Sequence, residues 1–223
     1  MNRIPSLIKI IVACLSAFLC VCSSSPLAGG NSSQTGNSGI AVVSRSQSIF
    51  GATVPGARVS IYDQGFRPYL TPSGFSDSAV ATDSGRFSFS PVAEGHYNLL
   101  VVDVRHGGAA FVANIPVFPD SVFADTLDTL RQPGFINGTA ADTAGSTYAL
   151  SYIFIDGSPF YTVTKNNGEF LLGPLPAGTY ATGLFANFQI TNVKTGEIAQ
   201  MAGVRTDTTV ITVVSDSVST WHW

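Results

Sequence analysis

With 223 residues, 45% of them hydrophobic and only 11% charged, the chain has the composition of a folded protein with room for one or two domains, which excludes an intrinsically disordered one. The formal charge is −3, and Arg3 and Lys9 lie in the first 21 residues. The remainder therefore holds 11 − 2 = 9 basic residues against 14 acidic ones, a balance of −5 that excludes an electrostatic nucleic-acid footprint. Lysine occurs only at Lys9, Lys165 and Lys194, so a polybasic membrane patch is excluded as well.

In chain order, Met1 to Lys9 carries two positive charges and Ile10 to Val21 is a mostly apolar run, the n-region and h-region of an export signal. A bilayer span needs roughly 20 apolar residues, so this run is too short for one. Residues 1–21 are read as the signal, and residues 22–39, dominated by Ser, Gly and Asn, as a flexible tether. All three cysteines, Cys14, Cys20 and Cys22, fall here, so the folded part is expected to have no disulfide. Cleavage before Cys22 leaves its thiol on the first mature residue, where acylation would give that thiol a use. Cleavage near Ser24 or Ala28 is the alternative. Leu19-Cys20-Val21-Cys22 resembles the lipobox of bacterial lipoproteins, with Val21 where that motif carries Gly, Ala or Ser. The resemblance implies lipidation of Cys22 and a membrane anchor at the cell envelope. Because Ser23 and not Asp follows, it also implies the outer membrane if the cell is Gram-negative; without the anchor the protein would be periplasmic or secreted.

Past the tether, apolar residues alternate in short runs, Ala57 to Tyr62, Arg86 to Ser90 and Tyr97 to Val102, the period of half-buried strands. Breakers separate them at Pro55-Gly56, Pro72-Ser73-Gly74, Asp83-Ser84-Gly85 and Glu94-Gly95. The second half repeats this grammar at Ser151 to Ile155, Phe160 to Thr164, Glu169 to Leu172, Thr179 to Leu184 and Thr208 to Val214, with Asn166-Asn167-Gly168 as a hairpin turn. No stretch keeps a helical apolar stripe, so the expected fold class is all-β.

One pattern occurs twice, 83 positions apart: Gly85, Phe87, Pro91, Gly95 and Tyr97, then Gly168, Phe170, Pro174, Gly178 and Tyr180. Two copies of one β-rich module follow. In a sandwich each glycine closes a turn, each phenylalanine points inward, each proline ends a strand because it lacks an N–H, and each tyrosine opens the next strand with its hydroxyl bonded to a nearby loop.

These anchors, with Pro55-Gly56-Ala57-Arg58-Val59 before the first set and Gly134-Phe135-Ile136-Asn137-Gly138-Thr139 before the second, resemble the carboxypeptidase regulatory-like domain. The resemblance implies two tandem seven-stranded prealbumin-like (Greek-key) β-sandwiches, residues 40–131 and 132–214, with 215–223 as a C-terminal tail. It departs at Ala141 to Leu150, where the second copy lacks the Pro-x-x-Ala segment. It also implies an accessory module and not a peptidase.

The chain carries no Gly-x-Ser-x-Gly elbow, His-Glu-x-x-His helix or Walker loop, and His96, His106 and His222 are dispersed. No catalytic residue, metal ligand or cofactor site is assigned. Glu169, Glu197, Asp142 and Asp156 are the carboxylate types a glycosidase pairs, yet nothing in their spacing singles them out. Lys165 and Lys194 fall in turns and not on an early core strand, against an internal isopeptide bond. The candidate ligand contacts are aromatic: Phe66, Tyr69 and Phe75 in a Pro/Gly-punctuated loop, and Trp221 and Trp223 in the tail. Each set either meets a polysaccharide or envelope protein partner or covers the end of a core. The expected role is a non-catalytic envelope scaffold, spacer or docking module, with carbohydrate binding beside polysaccharide-degrading enzymes as the alternative and a hydrolase as the third.

Overall fold

The computed structural model describes residues 39–69, 74–127, 129–191 and 198–222. Residues 37–223 form one compact unit. Every regular element in the described residues is a strand: β1 Ile40–Arg45, β2 Ile49–Ala52, β3 Arg58–Asp63, β4 Ser76–Val80, β5 Arg86–Phe89, β6 Gly95–Val102, β7 Ala109–Val117 and β8 Val122–Leu127, then β9 Gly134–Thr139, β10 Tyr152–Phe154, β11 Tyr161–Val163, β12 Glu169–Leu175, β13 Gly178–Thr191, β14 Ile198–Val213 and β15 Val218–His222.

They build two sandwiches. In the first, sheet β5-β2-β1-β8 faces sheet β4-β3-β6-β7. Val42, Ile49, Val59, Ile61, Phe87, Leu99, Val101 and Ile115 from both sheets bury their side chains between them. In the second, sheet β12-β9-β15 faces β11-β10-β13-β14, around Ile136, Ile153, Phe170, Leu172, Leu184 and Trp221. The second sandwich has the expected seven strands. The first adds an eighth, β1, which slips between β2 and β8 and pairs antiparallel with both, whereas in the second sandwich β15 pairs directly and parallel with β9. Residues 218–222 are thus a core strand and not the expected tail, because β9 offers an open ladder and Trp221 a large apolar side chain to bury.

The repeated anchors do the same work twice. Gly85 and Gly168 hold φ of +76° and +79°, where an L side chain is strained, and each carbonyl accepts the N–H of the residue that follows β2 or β9, Thr53 at 2.8 Å and Ala140 at 3.0 Å. Phe87 and Phe170 lie across Gly51 and Gly138, whose added Cβ would stand 2.7 and 2.9 Å from the ring Cζ. Tyr97 donates its hydroxyl to Ala93 O at 3.0 Å, and Tyr180 to Pro176 O at 2.8 Å. Pro91 follows β5 as expected, but Pro174 sits inside β12, at the irregularity between Leu172 and Leu175 where the ladder needs no donor.

Two features exceed the sequence expectation. Strand β6 is buried on both faces: Tyr97, Leu99 and Val101 enter the core, while Asn98 and Leu100 on the opposite face are also nearly sealed from solvent. Strands β13 and β14 run 14 and 16 residues, well past the sandwich strands they belong to.

Candidate functional site

Asn98 and Leu100 are sealed because the second sandwich rests on that face of β6 and β7. The linker is pinned first. Leu130 joins the first core, Arg131 exchanges backbone hydrogen bonds with Ala109 at 2.8 and 3.1 Å, and Gln132 Nε2 donates to His106 O at 2.8 Å. Ser215 Oγ donates to Gln132 O at 2.9 Å from the other side. Phe111 of β7 then packs into the second core, 6.2 Å from Phe160 and 5.9 Å from Tyr180 between ring centroids. Asn98 bridges the seam, its Nδ2 donating to Gly157 O at 2.9 Å while its Oδ1 accepts Asn114 N–H at 2.9 Å.

The loop after β3 completes the joint. Gly157 N–H donates to Phe66 O at 3.0 Å. Arg67 reaches Asp156 with two guanidinium nitrogens, Nε at 2.5 Å and Nη2 at 3.1 Å, and lies 5.3 Å above the Phe154 ring. That hydrogen bond holds the Arg67 pKa above its ordinary value. Tyr69 stacks on Tyr152 at 5.1 Å and 18°, and meets Phe154 at 4.9 Å and Phe185 at 5.6 Å. Burial pushes its hydroxyl up to about 12. Phe154 becomes fully buried although it lies on the outer face of its sheet.

A groove of about 330 Å³ opens along the seam, between Leu100, Val102 and Ala109 of the first sandwich and Pro159, Phe160 and Pro174 of the second. Its walls are mostly hydrocarbon, with the Tyr161 phenol as the one titratable side chain among the lining residues, and they contribute no carboxylate, imidazole, amine or thiol. Among the described residues the candidate acids and bases are engaged singly. His96 packs its ring edge on Phe118, and His106 Nδ1 lies 2.7 Å from Asp103 Oδ2. Burial would raise the Asp103 carboxyl, but the hydrogen bonds from His106 and from the Arg105 and His106 N–H groups outweigh it and hold its pKa below the ordinary value. Asp142 accepts the N–H groups of Ala144 and Ser146 in its own turn, Asp156 is held by Arg67, and Glu169 pairs with Lys165 at 3.2 Å. Among the described residues no three His, Cys, Asp or Glu side chains could hold a metal ion.

The aromatic candidates separate accordingly. Tyr69 is spent on the joint and is not a free contact. Phe66 leans on Tyr62 at 4.9 Å, half-buried. Trp221 is 8% exposed and packs edge-on to Phe170 at 6.0 Å, so it caps the second core and does not reach out to a ligand. Among the described members of this set Phe75 is the exposed one, at 43%, its ring edge-on to Tyr97 at 6.0 Å. Cys22, Trp223, Lys194 and Glu197 lie outside the described residues. Sequence reasoning missed Arg67, Asn98 and Phe111, and named Asp156 as a glycosidase-type carboxylate, not as the partner of Arg67. The available signals were the unbroken apolar character of β6, which marks a strand covered on both faces, and a single arginine amid loop aromatics.

No protein-family model matches the chain. No curated protein matches it either. Among solved structures, the chain is similar to the minor pilin GBS52 of the Gram-positive pathogen Streptococcus agalactiae, at 14% identity over 77% of this chain and 83% of that one, with a TM-score of 0.29. A TM-score this low does not define a shared fold.

Proposed function

We propose that this chain is an exported, non-catalytic protein of the cell envelope or surface, whose two sandwiches serve as a spacer or docking scaffold. The observation that carries the reading is the joint. Tyr69 and the Arg67–Asp156 pair, which a binding or catalytic surface could have presented, are used between the sandwiches, where they couple one module to the next. A lipid on Cys22 followed by a tether fits such a role, since stable anchoring needs more than one buried chain and a leash lets the rigid part stand clear of the membrane. The carboxypeptidase regulatory-like module of the resemblance is itself an accessory unit. Carbohydrate recognition is the second reading, and it now rests on exposed Phe75.

Depletion of the protein by a panel of soluble and insoluble polysaccharides, run beside Phe75→Ala, separates the two. A scaffold is retained by none of them. Selective depletion that Phe75→Ala abolishes would overturn the scaffold reading in favour of a glycan binder. Fractionation of producing cells with Cys22→Ser tests the anchor: the protein leaves the membrane fraction if Cys22 carries it.

A further inference from the structure

Eight of the 11 aspartates are followed directly by serine or threonine, although those two residues make up about a fifth of the chain and chance would supply about two such pairs. In seven of the eight the next residue is Ala, Val, Leu or Thr: at 77–79, 120–122, 125–127, 128–130, 142–144, 207–209 and 216–218. Aspartate before a hydroxyl residue is an ordinary turn former, which accounts for Asp142 and the hydrogen bonds it accepts in its own turn. It does not account for Asp77 and Asp125, which stand inside β4 and β8. There each carboxylate folds back on the next residue, Asp77 Oδ1 accepting Ser78 N–H and Asp125 Oδ1 accepting Thr126 N–H, both at 2.7 Å. The neighbouring hydroxyls stay free. Ser78, Thr126 and Thr143 are exposed, and their hydroxyls make no hydrogen bond among the described residues. Strands β4 and β8 each lie at the edge of their sheet, so an enzyme can read the tripeptide in extended form from the open side.

We propose that Ser78, Thr126 and Thr143 are acceptors for O-linked glycosyl transfer, with Asp-(Ser/Thr)-small aliphatic as the tripeptide the transferase reads. The hydroxyl oxygen attacks the anomeric carbon of a sugar carried on a nucleotide or lipid phosphate. The new bond from that oxygen to the sugar forms as the bond from the anomeric carbon to the phosphate oxygen breaks. The phosphate leaves with the electron pair, and a base of the transferase takes the hydroxyl proton. The acid ahead of each hydroxyl selects a neutral group over a phosphoryl group, which would set a charge of about −1.5 to −2 beside Asp77 or Asp125 and be repelled. A sugar adds no charge. On β4 and β8 it also does what an edge strand needs, since a bulky polar group blocks pairing with another chain and covers Val80 and Val122, 67% and 72% exposed on the same two strands.

The test is peptide mapping of the full chain purified from the cells that produce it, with fragmentation that leaves side-chain groups in place. Expected are sugar-sized mass increments on Ser78, Thr126 and Thr143 that alkaline β-elimination releases. None is expected on Ser76 or Ser88, exposed serines of β4 and β5 that follow phenylalanine. Asp77→Asn keeps the size and the backbone acceptor and removes only the charge, and it should lower the occupancy of Ser78 at least about tenfold against Thr126 and Thr143 of the same molecules. Three unmodified hydroxyls overturn the proposal, as does phosphate in place of sugar or equal occupancy of Ser76 and Ser78. An Asp77→Asn chain in which Ser78 stays as occupied as before overturns the reading of the tripeptide.

Discussion

Replacing Tyr69 by alanine should uncouple the two sandwiches without unfolding either. The ring makes three aromatic contacts, at 4.9, 5.1 and 5.6 Å. Such pairs contribute about 0.5–1.5 kcal/mol each beyond area burial. Because Tyr69 is half-buried and its pairs share one ring, the loss belongs in the lower half of that sum, about 2–3 kcal/mol. Arg67→Ala should cost less: a part-exposed ion pair contributes at most about 1 kcal/mol and the guanidinium over Phe154 about 0.5–1 kcal/mol. For a unit of this size 1 kcal/mol moves Tm by about 2–4 °C, so Tyr69→Ala lowers the first transition by roughly 4–12 °C. Differential scanning calorimetry reads the result. The wild type melts in one cooperative transition, while the variant splits into two, one for each core, and hydrogen exchange accelerates at Tyr152 and Phe154. A single transition within about a degree of the wild type would refute the claim that this ring carries the joint.

Gly138→Ala should cost more than about 3 kcal/mol in urea unfolding, since the new methyl would stand 1.9 Å from Trp221 O and 2.9 Å from the Phe170 ring, a clash with a strand backbone that cannot move aside. Gly145→Ala is its control: nothing lies within 4 Å, so only the strain of φ +85° is felt, about 1–2 kcal/mol. Alkali should unfold the protein steeply. Burial holds Tyr69 at about 12 and Tyr180 well above its ordinary 10.0, so the native state keeps protons that the unfolded chain releases above pH 10. The stabilisation is full below pH 10 and falls above it, approaching about 1.4 kcal/mol per pH unit for each such tyrosine. Tyr180→Phe should flatten the slope of denaturation midpoints between pH 10 and 12, and an unchanged slope contradicts the assignment. Asp103 works at the other end. Its lowered pKa gives stability that is present above the unfolded value of 3.8 and lost as pH falls through the folded one. Asp103→Asn should therefore be less stable at neutral pH and show a shallower acid limb in circular-dichroism titrations.

The residues that could be read from sequence are those whose role is backbone geometry. Gly85 and Gly168 at positive φ, Phe87 and Phe170 two positions on, and Tyr97 and Tyr180 bonded back four residues all declare themselves by spacing, because a turn or a strand end imposes it locally. The inserted strand β1 was not legible: Ile40–Arg45 alternates as any edge strand does, and only the pairing with both β2 and β8 gives it a central place. Trp221 was ambiguous for the same reason, since a tryptophan near a chain end reads alike whether it faces a partner or fills β15's side of a core. Tyr69 was singled out as a candidate contact in its loop, but its partners Tyr152, Phe154 and Phe185 lie more than eighty residues away. No periodicity links residues across that distance.

Apart from the inserted β1 and the place of Pro174, the two copies share their repeated anchors, and they differ where they touch each other. In the first copy the connection after β3 is long and carries Arg67 and Tyr69; in the second the matching connection after β10 is short and carries Asp156, which pairs with Arg67, and Gly157, whose N–H donates to Phe66 O, while Tyr69 packs on Tyr152, Phe154 and Phe185. The connection between β6 and β7 is the tight turn at Asp103 to Gly108, whereas β13 and β14 extend into a ribbon. The repeated anchors give each copy a scaffold that folds from local rules, and the two dissimilar loops join the pair of sandwiches into one unit. A selection experiment follows from that division. Substitutions that conserve size at Phe87, Phe170, Tyr97 and Tyr180 should change stability in both copies equally. Exchanging the two loops between copies should leave each sandwich folded and abolish only their coupling, because Arg67 and Tyr69 would then face no acid and no aromatic sheet.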